Sequence, residues 1–452
     1  MKNGEVFDTI DIQTTKSYGG ETMSVTETEK EQAVKEQTEA EDTAQAAKDS
    51  IQDTDYQDAY IEIPSDYFQM PKVRSLPKRM VRSAVRSVWF WLILLLPLGL
   101  IVREVFRHIS GAADFYRDHI YRYLSQFFNN ITGALPFSAG EMIVLLIPVC
   151  VVFYLGFMLA GIIYHKGQRL KRMLKLFVRP IGIACLAFFL YVTNCGINYF
   201  ASDFTAMTNL TFTPPESQEL QQVCVYLADH AADCRSRLKE NSKGVVWYDE
   251  QETAEKAREA VNRLSDEYGF LYECGGLPKS LLLSKGMSYL NLTGVFFPWT
   301  FEANVNTDIK DYTMPFTMCH ELSHLRGMMH EEDANFLAYL ACIGSKDDGL
   351  RYAGYLSALN YLSRYLYLAD ETLYDEYLDH LTDGMLRDII AHRDYWSHFE
   401  TPVAKVAAKV NDSYLKTNAQ PQGVRSYGKV AELILAHFHQ TILPSLNRDD
   451  NS

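Results

Sequence analysis

Paired cysteines and basic residues are both in short supply here, and each shortage closes off a class of function. Eight cysteines are spread over 452 residues without a C-x-x-C pair or a regular spacing. That excludes a disulfide framework and a cysteine-ligated structural zinc; a Cys224–Cys234 bridge is the one pairing the spacing suggests. Lysine and arginine number 43 against 57 aspartates and glutamates. With no basic domain and no binding module, nucleic acid is not expected as a partner. No internal repeat is present, and no small-residue cleavage site follows the first apolar run, so that run does not read as a removable signal.

The acidity is local. Residues 1–70 hold seventeen acids and five bases, in stretches such as "SVTETEKEQAVKEQTEAEDTAQAAKDS" that contain few large apolar side chains. Such a composition buries too little surface to offset chain entropy, and 1–70 reads as a disordered acidic tail.

Long apolar runs, by contrast, are plentiful between residues 71 and 203. "VWFWLILLLPLGLIV" (within 86–102), "MIVLLIPVCVVFYLGFMLAGIIY" (142–164) and "PIGIACLAFFLYVTNCGINYFAS" (180–202) carry no charge. A helix crosses the hydrocarbon core with about 20 apolar residues, so three transmembrane helices are expected. Lys72, Arg74, Lys78, Arg79, Arg82 and Arg86 precede the first run, and Lys166, Arg169, Lys171, Arg172, Lys175 and Arg179 separate the second from the third. The positive-inside rule assigns both clusters to the cytoplasm. The expectation is a multi-pass protein of the cell membrane with a cytoplasmic N-terminus and residues 204–452 outside. The 103–141 loop reads as an outer interfacial hairpin. Uncharged spans offer no ion pathway, which argues against a transporter or channel.

In the outer part, apolar residues at Ala254, Ala257, Val261, Leu264 and Tyr268 recur at helical spacing. A Gly- and Pro-punctuated segment rich in aromatics (279–308) reads as two or three short strands. Helical patterns then cover 316–326, 332–343, 350–369, 371–392 and 402–418. The Tyr-rich run 351–368 reads as a core helix. The fold class expected is α+β, a small mixed sheet followed mostly by helices.

Within it, "MCHELSHLRGMMHEEDANF" (318–336) carries the chemistry. His320 and His324 are four residues apart, so a helix presents both imidazoles to one metal ion. Glu321, one step round, reaches a metal-activated water rather than the metal and is the candidate general base. A catalytic zinc takes a third protein ligand, and Glu331, His330 and Asp333 compete for that place. On an unbroken helix residue 331 would lie about 10 Å beyond His324, so the chain must reverse, and Gly327 is where it can. His330 completes H-E-x-x-H-x-x-G-x-x-H, the metzincin string. The segment after it, however, starts a second helix at once. "EEDANFLA" (331–338) resembles the E-x-x-A-(D/N)-x-x-A helix of gluzincins, which implies Glu331 as the third ligand and Asn335 as its support behind the first shell of donors.

The chain as a whole resembles an uncharacterised family of bacterial membrane-anchored HExxH proteins, a domain of unknown function. The matching blocks are "LPK" (277–279), "GVFFPWTFEANVN" (294–306), "PFTMCHELSHLRG" (315–327), "EEDANFLAYLAC" (331–342) and "NDSYLK…GVRSYGKV" (411–430). Two positions depart from that pattern: His330 stands where an arginine is expected, and Asp333 where a glutamate is. The resemblance implies a zincin-like, gluzincin-type peptidase with Zn2+ at its centre. In that setting "GVFFPWTFEANVN" would be the edge strand that pairs with an extended peptide, and Tyr427 in "GVRSYG" is a candidate oxyanion donor. The expected activity is hydrolysis of peptide bonds in a peptide or protein substrate outside the membrane. The alternative is a non-catalytic zincin-fold membrane protein that binds a partner outside and signals inward. The residues specify neither substrate nor oligomeric state.

Overall fold

Among the described residues three helices are long and apolar enough to cross a bilayer, and α1 (Val88–His108) is the first of them. After it the chain folds back as α2 (Ala112–Tyr116), a π-helical turn (Arg117–Tyr121) and α3 (Arg122–Gly133). The other two helices of such length and hydropathy are α4 (Ala139–Tyr164) and α5 (Arg169–Asn194). Side chains such as Val152, Phe153 and Ile163 along α4 stay exposed, as they would facing lipid. This computed structural model describes residues 86–309, 311–418, 420 and 427–444. The acidic tail lies outside the described residues.

The third span differs from the run expected at 180–202. α5 starts at Arg169 and stops at Asn194, and Gly196–Phe200 forms a 3-10 turn with Ile197, Asn198 and Tyr199 buried. The apolar run outlasts the helix because these last residues fill protein core rather than lipid, a distinction hydropathy does not draw. The 103–141 segment is likewise more than a surface hairpin. On α3 and the π turn, Tyr121 and Ser125 are fully buried.

Beyond α5 come α6 (Phe204–Met207), α7 (Ser217–Arg235) and α8 (Glu250–Glu267). Cys224 and Cys234, both on α7, are free thiols. The sheet has strands β1 (Lys279–Ser280), β2 (Gly294–Phe297) and β3 (Glu302–Val305), with a short helix α9 (Ser284–Tyr289) after β1. Its order is β1-β3-β2. β1 runs parallel to β3, and β2 runs antiparallel to it with Phe296 opposite Ala303. β2 is therefore an edge strand.

The remainder is helical: α10 (Thr313–Leu325), α11 (Glu331–Ile343), α12 (Asp348–Ala369), α13 (Glu371–Leu378), α14 (Asp383–Ser397), α15 (Pro402–Thr417) and α16 (Tyr427–His437). One helix expected over 371–392 is two, because the Thr382 hydroxyl accepts from the Met385 N–H and caps a fresh start. α12 buries Tyr352, Leu356, Leu359 and Leu362 against α7 and α11, as a core helix does. The protein is thus mostly helical with a small mixed three-stranded sheet. All described residues belong to one compact unit.

The sheet is joined directly to the spans. Glu302, at the start of β3, is fully buried and accepts from the Ala139 and Gly140 N–H groups (3.0 and 2.8 Å) that open α4. Lys279 Nζ completes the joint at 2.7 Å and also donates to the Thr132 and Phe137 carbonyls. An acid at a helix N-terminus satisfies orphan N–H groups and suits the dipole.

Candidate metal centre

α10 and α11 lie side by side because the chain reverses at Gly327, whose φ of 83° places it in the left-handed region. The Gly327 N–H donates to the His324 carbonyl and the Met328 N–H to the Ser323 carbonyl, closing a Schellman turn. A β-carbon at Gly327 would meet Tyr121, Arg117 and Asn198 at 3.1–3.2 Å. This reversal sets Glu331, the first residue of α11, across from the two histidines.

His320, His324 and Glu331 bring one donor atom each to within 4.8 Å of one another. His320 Nε2 is 3.4 Å from Glu331 Oε2, and His324 Nε2 is 3.6 Å from Glu331 Oε1. These separations are long for hydrogen bonds. They match donors arranged tetrahedrally around an ion 2.0–2.1 Å away, which would sit about 3.3 Å apart. The far side of each ring is engaged. His320 Nδ1 donates to Asn335 Oδ1 at 2.9 Å, and His324 Nδ1 to the Met328 carbonyl at 2.7 Å. Both Nε2 lone pairs are thereby turned toward the shared space.

The other candidates for the third place are occupied elsewhere. His330 Nε2 donates to the Tyr199 carbonyl at 3.1 Å, and its Nδ1 lies 3.4 Å from Asp333 Oδ2. Asp333 accepts in turn from the Phe204 N–H. These two residues tie α11 to the chain that leaves α5. Tyr427 opens α16, and its side chain lies outside the described residues.

Charge in the site follows from burial and pairing. Burial pushes the Glu321 carboxyl up to about 8, with Glu331 adding to the rise and His320 and the Phe296 backbone N–H opposing it. For Glu331, burial also raises the carboxyl, but His320 and His324 outweigh it and hold it down at about 2. Burial, reinforced by His320, lowers His324 to about 4. His330 rises to about 9 because Asp333 overcomes its desolvation.

Glu321 is only 4% exposed, and its Oε2 has no hydrogen-bond partner among the described residues. Gly294 of β2 leans directly over it, where a β-carbon would stand 2.4 Å from Glu321 Oε1. The block "GVFFPWTFEANVN" is legible as a neighbour of the site, but that its first glycine makes room for the glutamate is not. Nor is the role of "LPK" and "FEANVN" legible, which supply the buried Lys279–Glu302 pair. The residues were visible as blocks; their partnership depends on the β1–β3 register.

A family model described as "Protein of unknown function (DUF3810)" matches residues 116–435, well over half of the chain. The chain belongs to this family. The stretch matched to the DUF3810 family begins in α2, takes in α4 and α5, and ends in α16, so it includes the second and third spanning helices as well as the His–His–Glu cluster. No curated protein and no solved structure matches the chain.

Proposed function

We propose that the protein is a membrane-anchored zinc metallopeptidase of the gluzincin kind, acting on the extracytoplasmic side. The observation that carries this reading is the cluster itself: two imidazoles oriented by Asn335 and Met328, a carboxylate across from them, and a buried glutamate with a free oxygen beside them. Two nitrogens and a carboxylate in this spacing suit zinc. Bound there, zinc would supply Lewis-acid polarisation of a water and of a peptide carbonyl. His320, His324 and Glu331 would hold it. Glu321 would take the proton of the attacking water and pass it to the leaving amine. The outer edge of β2, next to Glu321, would hold the substrate backbone in extended form by adding a strand to the sheet. The bases that start α5 and precede α1 support a cytoplasmic assignment for those ends, with the site on the opposite side.

The test is metal content of the full-length, detergent-purified protein by mass spectrometry. Wild type is expected to hold about one zinc per chain, as a closed three-ligand site does. Glu331→Ala should lose it, while His330→Ala and Asp333→Ala keep it. Zinc lost only with His330→Ala would favour the metzincin-like arrangement. No zinc in the folded wild type would end the peptidase reading and leave a binding protein.

A further inference from the structure

The strand beside Glu321 is continuous with a turn that packs on the apolar helix α5. After Phe297 the β2–β3 turn sits at the end of α5 and lays a tryptophan along its side. Trp299 Nε1 donates to the Ala187 carbonyl of α5 at 3.0 Å, and Asn194 Nδ2 donates to the Pro298 carbonyl at 3.1 Å. Ala187 lies seven residues before the end of α5 at Asn194, so the Trp299 indole reaches about 10 Å below the helix end at 1.5 Å per residue, while the Pro298 carbonyl stays beside Asn194. On the neighbouring span, Phe297 packs on Gly140, where a β-carbon would sit 2.6 Å from its ring. Leu282 and Leu283, both exposed, bind the first turn of α4 through their N–H groups and the Glu141 carboxylate.

A second element lies at the same level. α15 carries Val403, Val406, Val410 and Tyr414 on one helical face, with Val406 and Val410 62% and 64% exposed. Its C-terminal end is tied to the spans: Tyr191 of α5 donates to Tyr414, and Arg103 of α1 to the Thr417 carbonyl. Lys405, Lys409 and Lys416 lie off that stripe. An exposed apolar stripe flanked by lysines and anchored to transmembrane helices is the pattern of a helix lying in the headgroup region.

We propose that the site acts on polypeptide emerging from the lipid bilayer, cutting within a few residues of a membrane anchor. This rests on the peptidase reading above. A peptide paired along β2 points its Phe297 end at the membrane, because β2 is four residues long and continues directly into the turn that lies against α5. At about 3.3 Å per residue, the position opposite Gly294 is roughly 10–13 Å from that turn. A chain leaving a transmembrane or acyl anchor covers this distance in a handful of residues. The exposed leucines and the α15 stripe give such a segment an apolar entrance.

The experiment uses full-length protein, zinc-loaded, in lipid nanodiscs. The probes are synthetic peptides of randomised sequence, either soluble, palmitoylated with a spacer of about four residues, or palmitoylated with a spacer of about thirty, and cleavage is read by mass spectrometry. Both lipidated sets are concentrated at the membrane, so only geometry separates them. The short spacer should be cut roughly tenfold or more faster than the long one, with Glu321→Gln abolishing both. Equal rates for soluble and tethered peptides would overturn the membrane-proximal substrate while leaving a peptidase. No cleavage of any set beyond the Glu321→Gln level would overturn the peptidase reading and this inference with it. A readout independent of activity accompanies these. A bimane label on Val406→Cys in a Cys150→Ser background should be quenched by nitroxide lipid, and one on Glu255→Cys should not. Absence of quenching at Val406 would overturn the placement of α15, whatever the peptides show.

Discussion

Two buried glutamates, Glu302 and Glu321, sit in neighbouring elements and are treated in opposite ways. Glu302 is saturated: Lys279, the Thr300 hydroxyl and two backbone N–H groups of α4 surround it. Glu321 is nearly as deeply buried, yet one oxygen has no partner and its carboxyl is raised. Burying a carboxylate oxygen without a donor is costly, and no described residue meets that cost at Glu321 Oε2, whereas both oxygens of Glu302 are met. The first holds the sheet to α4; the second keeps a raised carboxyl and an oxygen with no partner among the described residues.

That contrast can be broken from either side. Largest in effect, Glu321→Gln should lower proteolysis by about 10²–10⁴-fold, the usual worth of a general base, while metal content and melting temperature stay near wild type. A fall in both would make Glu321 structural after all. Glu302→Ala should do the reverse, costing about 3–5 kcal/mol of stability by stranding Lys279, seen as an early unfolding transition in detergent. Lys279→Met/Glu302→Leu should recover much of that loss, because removing both partners leaves no orphan charge. Smaller again, Asn335→Ala frees the His320 ring and should weaken metal affinity by about 10–100-fold, measured by chelator competition. Smallest, Gly327→Ala forces a left-handed non-glycine and should cost about 1–2 kcal/mol, read by thermal unfolding, with zinc stoichiometry retained.

The sequence was most legible where a periodicity carried the information. Two histidines four apart, a glycine, and an acid opening the next helix are enough to write down the cluster, because helix geometry and one reversal determine their meeting. Hydropathy likewise marks the spans. It failed at 195–202, where apolar residues are buried by protein rather than lipid, and at 371–392, where a single threonine cap splits a continuous pattern. What lay beyond reading was everything set by long-range register. Lys279 meets Glu302 only because β1 pairs with β3, and Gly294 covers Glu321 only because β2 ends up at the sheet edge. Asn335 was named from the motif; the Met328 carbonyl behind His324 was not, since any residue at that position supplies one.

One carbonyl ties these regions to the order in which the chain is made. The Leu325 carbonyl, at the buried C-terminal end of the histidine helix, receives three hydroxyls: Ser125 at 2.7 Å, and Tyr121 and Tyr272 at 3.3 Å each. Two of the three come from the loop between the first and second spans, synthesised some two hundred residues earlier. The site is thus finished by a piece of chain delivered long before, and only if that loop and the later domain emerge on the same face of the membrane. A chain threaded so that these segments fall on opposite faces could not form this contact, so the order of threading and the building of the His–His–Glu cluster are linked.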